Sequence, residues 1–163
     1  MAATDELLAR NTAFVATHTP QASDPPPRLR LTIVTCMDAR LDLCGALGVR
    51  PGEAHVLRNA GGVVTDDVLR SLVLSQRLLG TVEVMVIQHT GCGAHGLDDA
   101  QLARQLTDET GAAPPFAFGG FADLEDSVRR SLERIRTCPW LPATDLARGF
   151  VYEIDTAKLH EVV

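Results

Sequence analysis

Leu29-Arg-Leu-Thr-Ile-Val-Thr35 followed by Cys36-Met-Asp38-Ala-Arg40, and Val82-Glu-Val-Met-Val-Ile87 followed by Gln88-His89-Thr-Gly-Cys92, decide the fold of this chain. Each apolar run is short, rich in β-branched residues and bounded by turn formers, which predicts a buried strand rather than a helix. The two strands then deliver two thiols, an imidazole and a carboxylate to their carboxyl ends. Soft thiolates with imidazole suit zinc, which takes four ligands in a tetrahedron and keeps one position open in catalytic sites. Cys36, His89 and Cys92 are the expected metal ligands, with water or Asp38 in the fourth place.

Outward from these strands the chain alternates. A short helical turn is expected over 41–47, a turn at Arg50-Pro51-Gly52-Glu53, and a second strand over Ala54-His-Val-Leu-Arg58. Asn59-Ala-Gly-Gly62 follows, able to bring backbone close to a bound group. Thr65 or Asp66 caps a helix that runs to Leu79 and closes at Gly80. Later helices are predicted over 98–110 and 121–136, the second ended by Pro139 and Pro142. A last strand covers 150–154, and 156–163 reads as a tail. Before the first strand, Leu7, Leu8, Phe14 and Val15 recur at helical spacing, with Thr4 or Asp5 as a cap. Pro20 and Ser23-Asp-Pro-Pro-Pro27 then form a stiff linker. That helix either packs on a neighbouring subunit or folds back on its own chain.

Strands alternating with helices predict an α/β fold, with a parallel sheet in strand order 2-1-3-4 and helices on both faces. Ligands in such sheets bind beyond the carboxyl ends of the strands where the order reverses, between strands 1 and 3. Topology and ligand chemistry thus pick the same place. The chain is expected to be one domain over 1–163, with 1–27 as N-terminal helix and linker.

Composition narrows the function. A net charge of −6 with a single lysine argues against a nucleic-acid partner. No stretch is apolar for long enough to span a bilayer, and the first residues lack a secretion signal, so a cytoplasmic setting is expected. Four cysteines do not make a disulfide scaffold at this length. Cys44 and Cys138 read as small buried hydrophobes. No Cys-x-x-Cys pair supports a thiol redox enzyme.

On an extended segment Asp38 and Arg40 point the same way, so Arg40 can hold Asp38 off the metal in a bidentate pair and leave room for water. With that dyad the chain resembles the β-class carbonic anhydrases. Cys36-Met-Asp-Ala-Arg-Leu and Arg58-Asn-Ala-Gly-Gly-Val-Val-Thr-Asp-Asp67 look like their compact, actinobacterial-type branch, and the likeness runs from about Thr32 to the last strand. The resemblance implies zinc on Cys36, His89 and Cys92, with Asp38 either in the fourth position or paired with Arg40. It also implies a sheet extended across an obligate homodimer, or a dimer of dimers, with the N-terminal helix reaching over the partner. Arg50 stands where plant-type members have a glutamine thought to bind substrate, so those contacts do not transfer. Gly91 fills a position that often carries a polar side chain.

The implied reaction is hydration of carbon dioxide to bicarbonate by hydroxide on the zinc, whose bound water falls in pKa to about 7 in the best case. Two thiolates leave the metal formally neutral, so its water should be less acidic than in three-histidine sites and activity should rise into the alkaline range. Asp38 either accepts the water proton or only gates the metal. His95, His55 and His18 are candidate proton carriers, each with a plainer reading as a surface or hydrogen-bonded histidine. Asp66 could face the site or simply cap a helix, and Gly61 and Gly62 could offer N–H groups or only turn the chain. Two other functions use the same ligands: hydrolysis of carbonyl sulfide, and a non-catalytic zinc module with Asp38 permanently bound.

Overall fold

A computed structural model describes residues 2–19 and 25–163, so Pro20, Ser23 and Asp24 of the expected linker lie outside the described residues. Among the described residues the α-helices and β-strands follow in the order α1 (Ala3–Thr17), β1 (Leu31–Cys36), α2 (Leu43–Leu47), β2 (Ala54–Asn59), α3 (Asp66–Leu79), β3 (Glu83–His89), α4 (Asp99–Thr110), α5 (Leu124–Arg136), β4 (Ala147–Tyr152) and β5 (Leu159–Val162), with one 3₁₀ turn, Ala60–Gly62, between β2 and α3. The strands form one sheet in the order β2-β1-β3-β4-β5, parallel except for the β4–β5 pair. The expected 2-1-3-4 order is present, with an added antiparallel edge strand where a tail was expected.

The sheet is buried on both faces because its central strands are apolar on both sides. Val34, Val84, Val86 and Val151 meet Val68 and Leu72 of α3 and Val128, Leu132 and Ile135 of α5. Ile33, Ile87 and Tyr152 meet Leu41, Leu43, Phe121 and the two cysteines of the site on the other face. Buried hydroxyls are satisfied within this core: Thr35 Oγ1 donates to the Ile87 carbonyl at 2.9 Å, and Thr32 Oγ1 pairs with Ser75 Oγ at 2.8 Å. Each would otherwise carry the cost of a dehydrated polar group.

Several boundaries differ from expectation for local reasons. Helix α5 begins at Leu124, because Asp123 accepts from the Asp126 amide and caps it, while Phe121 sits in a short parallel bridge with His95. β4 runs from Ala147 to Tyr152, three residues earlier than 150–154, in register with Val84 to His89. Asp42 caps α2, so the turn starts at Leu43 rather than Leu41. At α1 the N-cap is Ala2, whose amide donates to Asp5 Oδ2 at 3.0 Å. No residue of α1 is buried, and Phe14 is 60% exposed. Cys138 is a core residue as expected, but Cys44 is exposed on α2.

Candidate metal centre

The parallel pairing of β1 with both β2 and β3 brings their carboxyl ends together. Cys36 is the last residue of β1 and His89 the last of β3, and a tight turn after β3 returns Cys92 to the same spot. All three are buried, and their ligand atoms lie within 4.8 Å of one another. Cys36 Sγ and Cys92 Sγ are 3.9 Å apart. That is far beyond a disulfide bond of about 2.05 Å. Two sulfurs each about 2.3 Å from a tetrahedral zinc would sit about 3.8 Å apart, so the spacing fits zinc.

The imidazole gives an independent sign. His89 Nδ1 donates to the carbonyl of Thr90 at 2.9 Å, which fixes the tautomer and leaves Nε2 a bare lone pair. That Nε2 is buried without a hydrogen-bond partner. A dehydrated nitrogen with no partner is costly unless something else fills its lone pair, and a metal ion does so. Burial pushes the Cys92 thiol up, the Ala94 amide draws it partly back, and Cys36 raises it again. Binding a divalent ion removes that penalty by taking the thiolate as ligand.

Asp38 does not occupy the cluster. Its Oδ1 accepts from the Arg40 amide and Nε, both at 2.9 Å, and its Oδ2 accepts from Arg40 Nη2 at 2.7 Å. These bonds hold the carboxyl well below the usual carboxylate range, the Arg40 side chain acting most strongly. Oδ2 still lies only 3.7 Å from His89 Nε2. Arg40 Nη2 also donates to the Gly91 carbonyl at 2.9 Å, so the dyad is tied to the turn that carries Cys92. Beside the cluster, Met37, Ala60, Gly61, Ala94, Leu97 and Phe118 wall a mostly apolar cavity of about 390 Å³.

Other residues singled out in the sequence fall elsewhere. Asp66 is exposed and paired with Arg134, and Thr65 is the cap of α3. His55 bonds Ser75 Oγ at 2.7 Å near the amino end of β2, and His18 lies tilted against the ring of Phe14 of α1. His95 donates to the Ala122 carbonyl at 3.0 Å and stacks on Phe121. Arg50 lies in the turn before β2, where its amide donates to Glu53 Oε2 at 3.0 Å. Arg58, to which the sequence assigned no role in the site, bonds the loop that carries Asp38.

A parallel α/β sheet with a Cys₂His cluster at its switch point, and a carboxylate held just off it, defines a candidate zinc centre with a fourth position left for another ligand. The family model for carbonic anhydrase matches residues 31–114. β-Carbonic anhydrase 1 of Mycobacterium tuberculosis is 45% identical over 162 residues, covering 99% of each chain. The crystal structure of a carbonic anhydrase from Streptococcus mutans superposes with a TM-score of 0.92 at 40% identity, covering 100% of this chain and 99% of that one. A carbon disulfide hydrolase of Saccharolobus solfataricus is 34% identical over 83% of this chain and 78% of its own. This chain belongs to the β-carbonic anhydrase family.

Proposed function

We propose that this chain catalyses the reversible hydration of carbon dioxide to bicarbonate, with zinc held by Cys36, His89 and Cys92. The observation that carries the reading is a bare, buried His89 Nε2 facing two thiols while Asp38 is bound to Arg40 instead. When bound, zinc would supply the Lewis acidity that makes a water in the site easier to ionise. Arg40 keeps Asp38 charged and aimed, so Asp38 is the group placed to accept a proton from water in the site. Met37, Ala60, Leu97 and Phe118 offer a small, non-polar molecule a wall with few polar groups to dehydrate. Carbon dioxide suits that wall, and the charged product does not. Stopped-flow hydration on zinc-loaded and chelated protein tests this: turnover should vanish on chelation and return with zinc. Persistence of turnover without metal would sink it.

A second reading is favoured by the similarity to a carbon disulfide hydrolase. Carbonyl sulfide and carbon disulfide are also linear, apolar and electrophilic at carbon, and the same residues would receive them. Sulfide release, assayed beside carbon dioxide hydration, separates the substrates. A purely structural zinc with Asp38 as permanent ligand fits less well, since Asp38 is turned to Arg40.

The chain is read as one domain working as a homodimer or dimer of dimers in the cytoplasm. Supporting the assembly, α1 exposes Leu7, Leu8, Phe14 and Val15, while Leu69, Val73, Leu74 and Trp140 line an apolar groove along α3. Trp140 is 64% exposed in the single chain. Isolated patches of this kind mark association surfaces. Light scattering on the full chain and on a variant lacking residues 2–17 tests it, with a smaller mass expected for the variant. A reducing compartment would keep the ligand thiols free, and no helix among the described residues is long and apolar enough to cross a membrane.

A further inference from the structure

Arg58 lies near the carboxyl end of β2, paired in register with Thr35 of β1. Its side chain reaches across to the loop beyond Cys36. Nε donates to the Cys36 carbonyl at 2.9 Å, and Nη2 donates to the carbonyls of Asp38 at 2.7 Å and Leu41 at 3.3 Å. Among the described residues no carboxylate pairs with this guanidinium, so its recorded bonds all go to the main chain of one loop. Those carbonyls bracket Met37-Asp38-Ala39-Arg40, the segment that carries the dyad. Two backbone bonds finish the fastening: Met37 N to Asn59 O at 2.8 Å and Leu41 N to Asp38 O at 3.1 Å.

The spacing of Asp38 explains why such a clamp matters. Its Oδ2 is 3.7 Å from His89 Nε2. Oxygen and nitrogen ligands of one tetrahedral zinc lie about 3.3 Å apart, so a main-chain shift of roughly half an ångström would bring the carboxylate into ligand range. Arg40 opposes that shift through the side chain. Arg58 opposes it through the Asp38 carbonyl, on the other side of the same residue. Only a planar fork with several fixed donors can hold carbonyls of residues 36, 38 and 41 together.

We propose that Arg58 is a positioning residue: by locking the backbone of 36–41 it keeps Asp38 turned to Arg40 and the fourth metal position open to an outside ligand. This rests on the metal reading of the Cys36, His89 and Cys92 cluster, though not on the identity of the substrate. Loosening the loop lets Asp38 compete for the metal. If Asp38 then holds the position in nine molecules of ten, the apparent affinity for any outside ligand falls about tenfold.

The test uses full-length protein loaded with cobalt(II), whose visible spectrum reports its ligands, titrated with azide. Arg58→Met should weaken azide binding about tenfold or more, with metal content unchanged. The double variant Arg58→Met/Asp38→Asn should bind azide within about threefold of Asp38→Asn alone, because no carboxylate is left to compete. Arg58→Lys, which keeps the charge without the fork, should fall between wild type and Arg58→Met and carries the test if the methionine variant does not fold. A lowered melting temperature with azide affinity at the wild-type value in whichever variant folds would reduce Arg58 to a structural role and overturn the proposal. So would a double variant as weak as Arg58→Met. Wild-type protein that takes up no cobalt would instead overturn the metal reading, and the assignment with it.

Discussion

Oδ2 of Asp38 lies 3.7 Å from Nε2 of His89, yet the hydrogen bonds of that carboxylate run to Arg40. The carboxylate therefore stands beside the Cys36, His89 and Cys92 cluster without joining it. Replacing Asp38 by Asn preserves shape and removes the proton acceptor. Turnover should fall about 10²- to 10⁴-fold with zinc content unchanged. A loss of less than about threefold in stopped-flow assays would assign Asp38 to gating alone.

Burial raises the Cys92 thiol above its ordinary value, so the metal-free protein holds that proton to higher pH and zinc must displace it. Zinc affinity, measured by competition with a chromophoric chelator, should strengthen as pH rises from about 6 to 8 and release protons on binding. Cys92→Ser should lose stoichiometric zinc and turnover together.

Gly62 and Gly48 share a left-handed backbone but not their surroundings. A Cβ at Gly62, where φ is +63°, would lie 2.8 Å from the Cys36 amide nitrogen and 2.9 Å from the Thr35 carbonyl carbon. At Gly48, where φ is +66°, nothing lies within 4 Å. Gly48→Ala should cost about 1 kcal/mol, the backbone penalty alone. Gly62→Ala should cost about 3 kcal/mol because backbone must also move, and the moved atoms include the amide of Cys36 in the candidate metal cluster. Denaturant unfolding checks the first difference, and zinc titration should show weaker binding only for Gly62→Ala.

Asp99 accepts from the amides of Gly120 at 2.8 Å, Phe118 at 2.9 Å and Gly119 at 3.0 Å, anchoring the loop whose Phe118 walls the cavity. These bonds, Gly120 first, outweigh partial burial and hold its carboxyl below the ordinary 3.8. The folded state thus keeps Asp99 ionised where the unfolded chain would be protonated. Its stabilisation is complete above that ordinary value and is lost as pH falls through the lower folded value. Asp99→Asn should lower stability by about 1 kcal/mol at neutral pH. The gap to wild type should narrow in melting curves as pH falls below 3.8 and close below the folded value.

Much of the site was legible because the strands carrying it are apolar on both faces. Leu31–Cys36 and Glu83–His89 end one and two residues beyond their apolar runs, so the candidate ligands could be placed from chain order and parallel pairing. The open state of Asp38 was not legible, because two residues two apart can pair or part with equal ease until a third, Gly91 O, ties one down. β5 escaped because Leu159-His-Glu-Val162 is short and half polar, with Val162 its one fully buried residue. Phe121 mimicked a helical position by lying three residues before Leu124, but it pairs with His95 as a bridge. Arg58 acts through length and reach across a neighbouring strand, which no local spacing reveals.

The acceptor that orients the zinc-facing ring of His89 is the carbonyl of the very next residue. A carbonyl belongs to every amino acid, so no exchange of the Thr90 side chain can take it away. The tautomer is thereby insulated from mutation: a substitution that costs Thr90 its bond from the Ile154 amide would still leave the imidazole tuned.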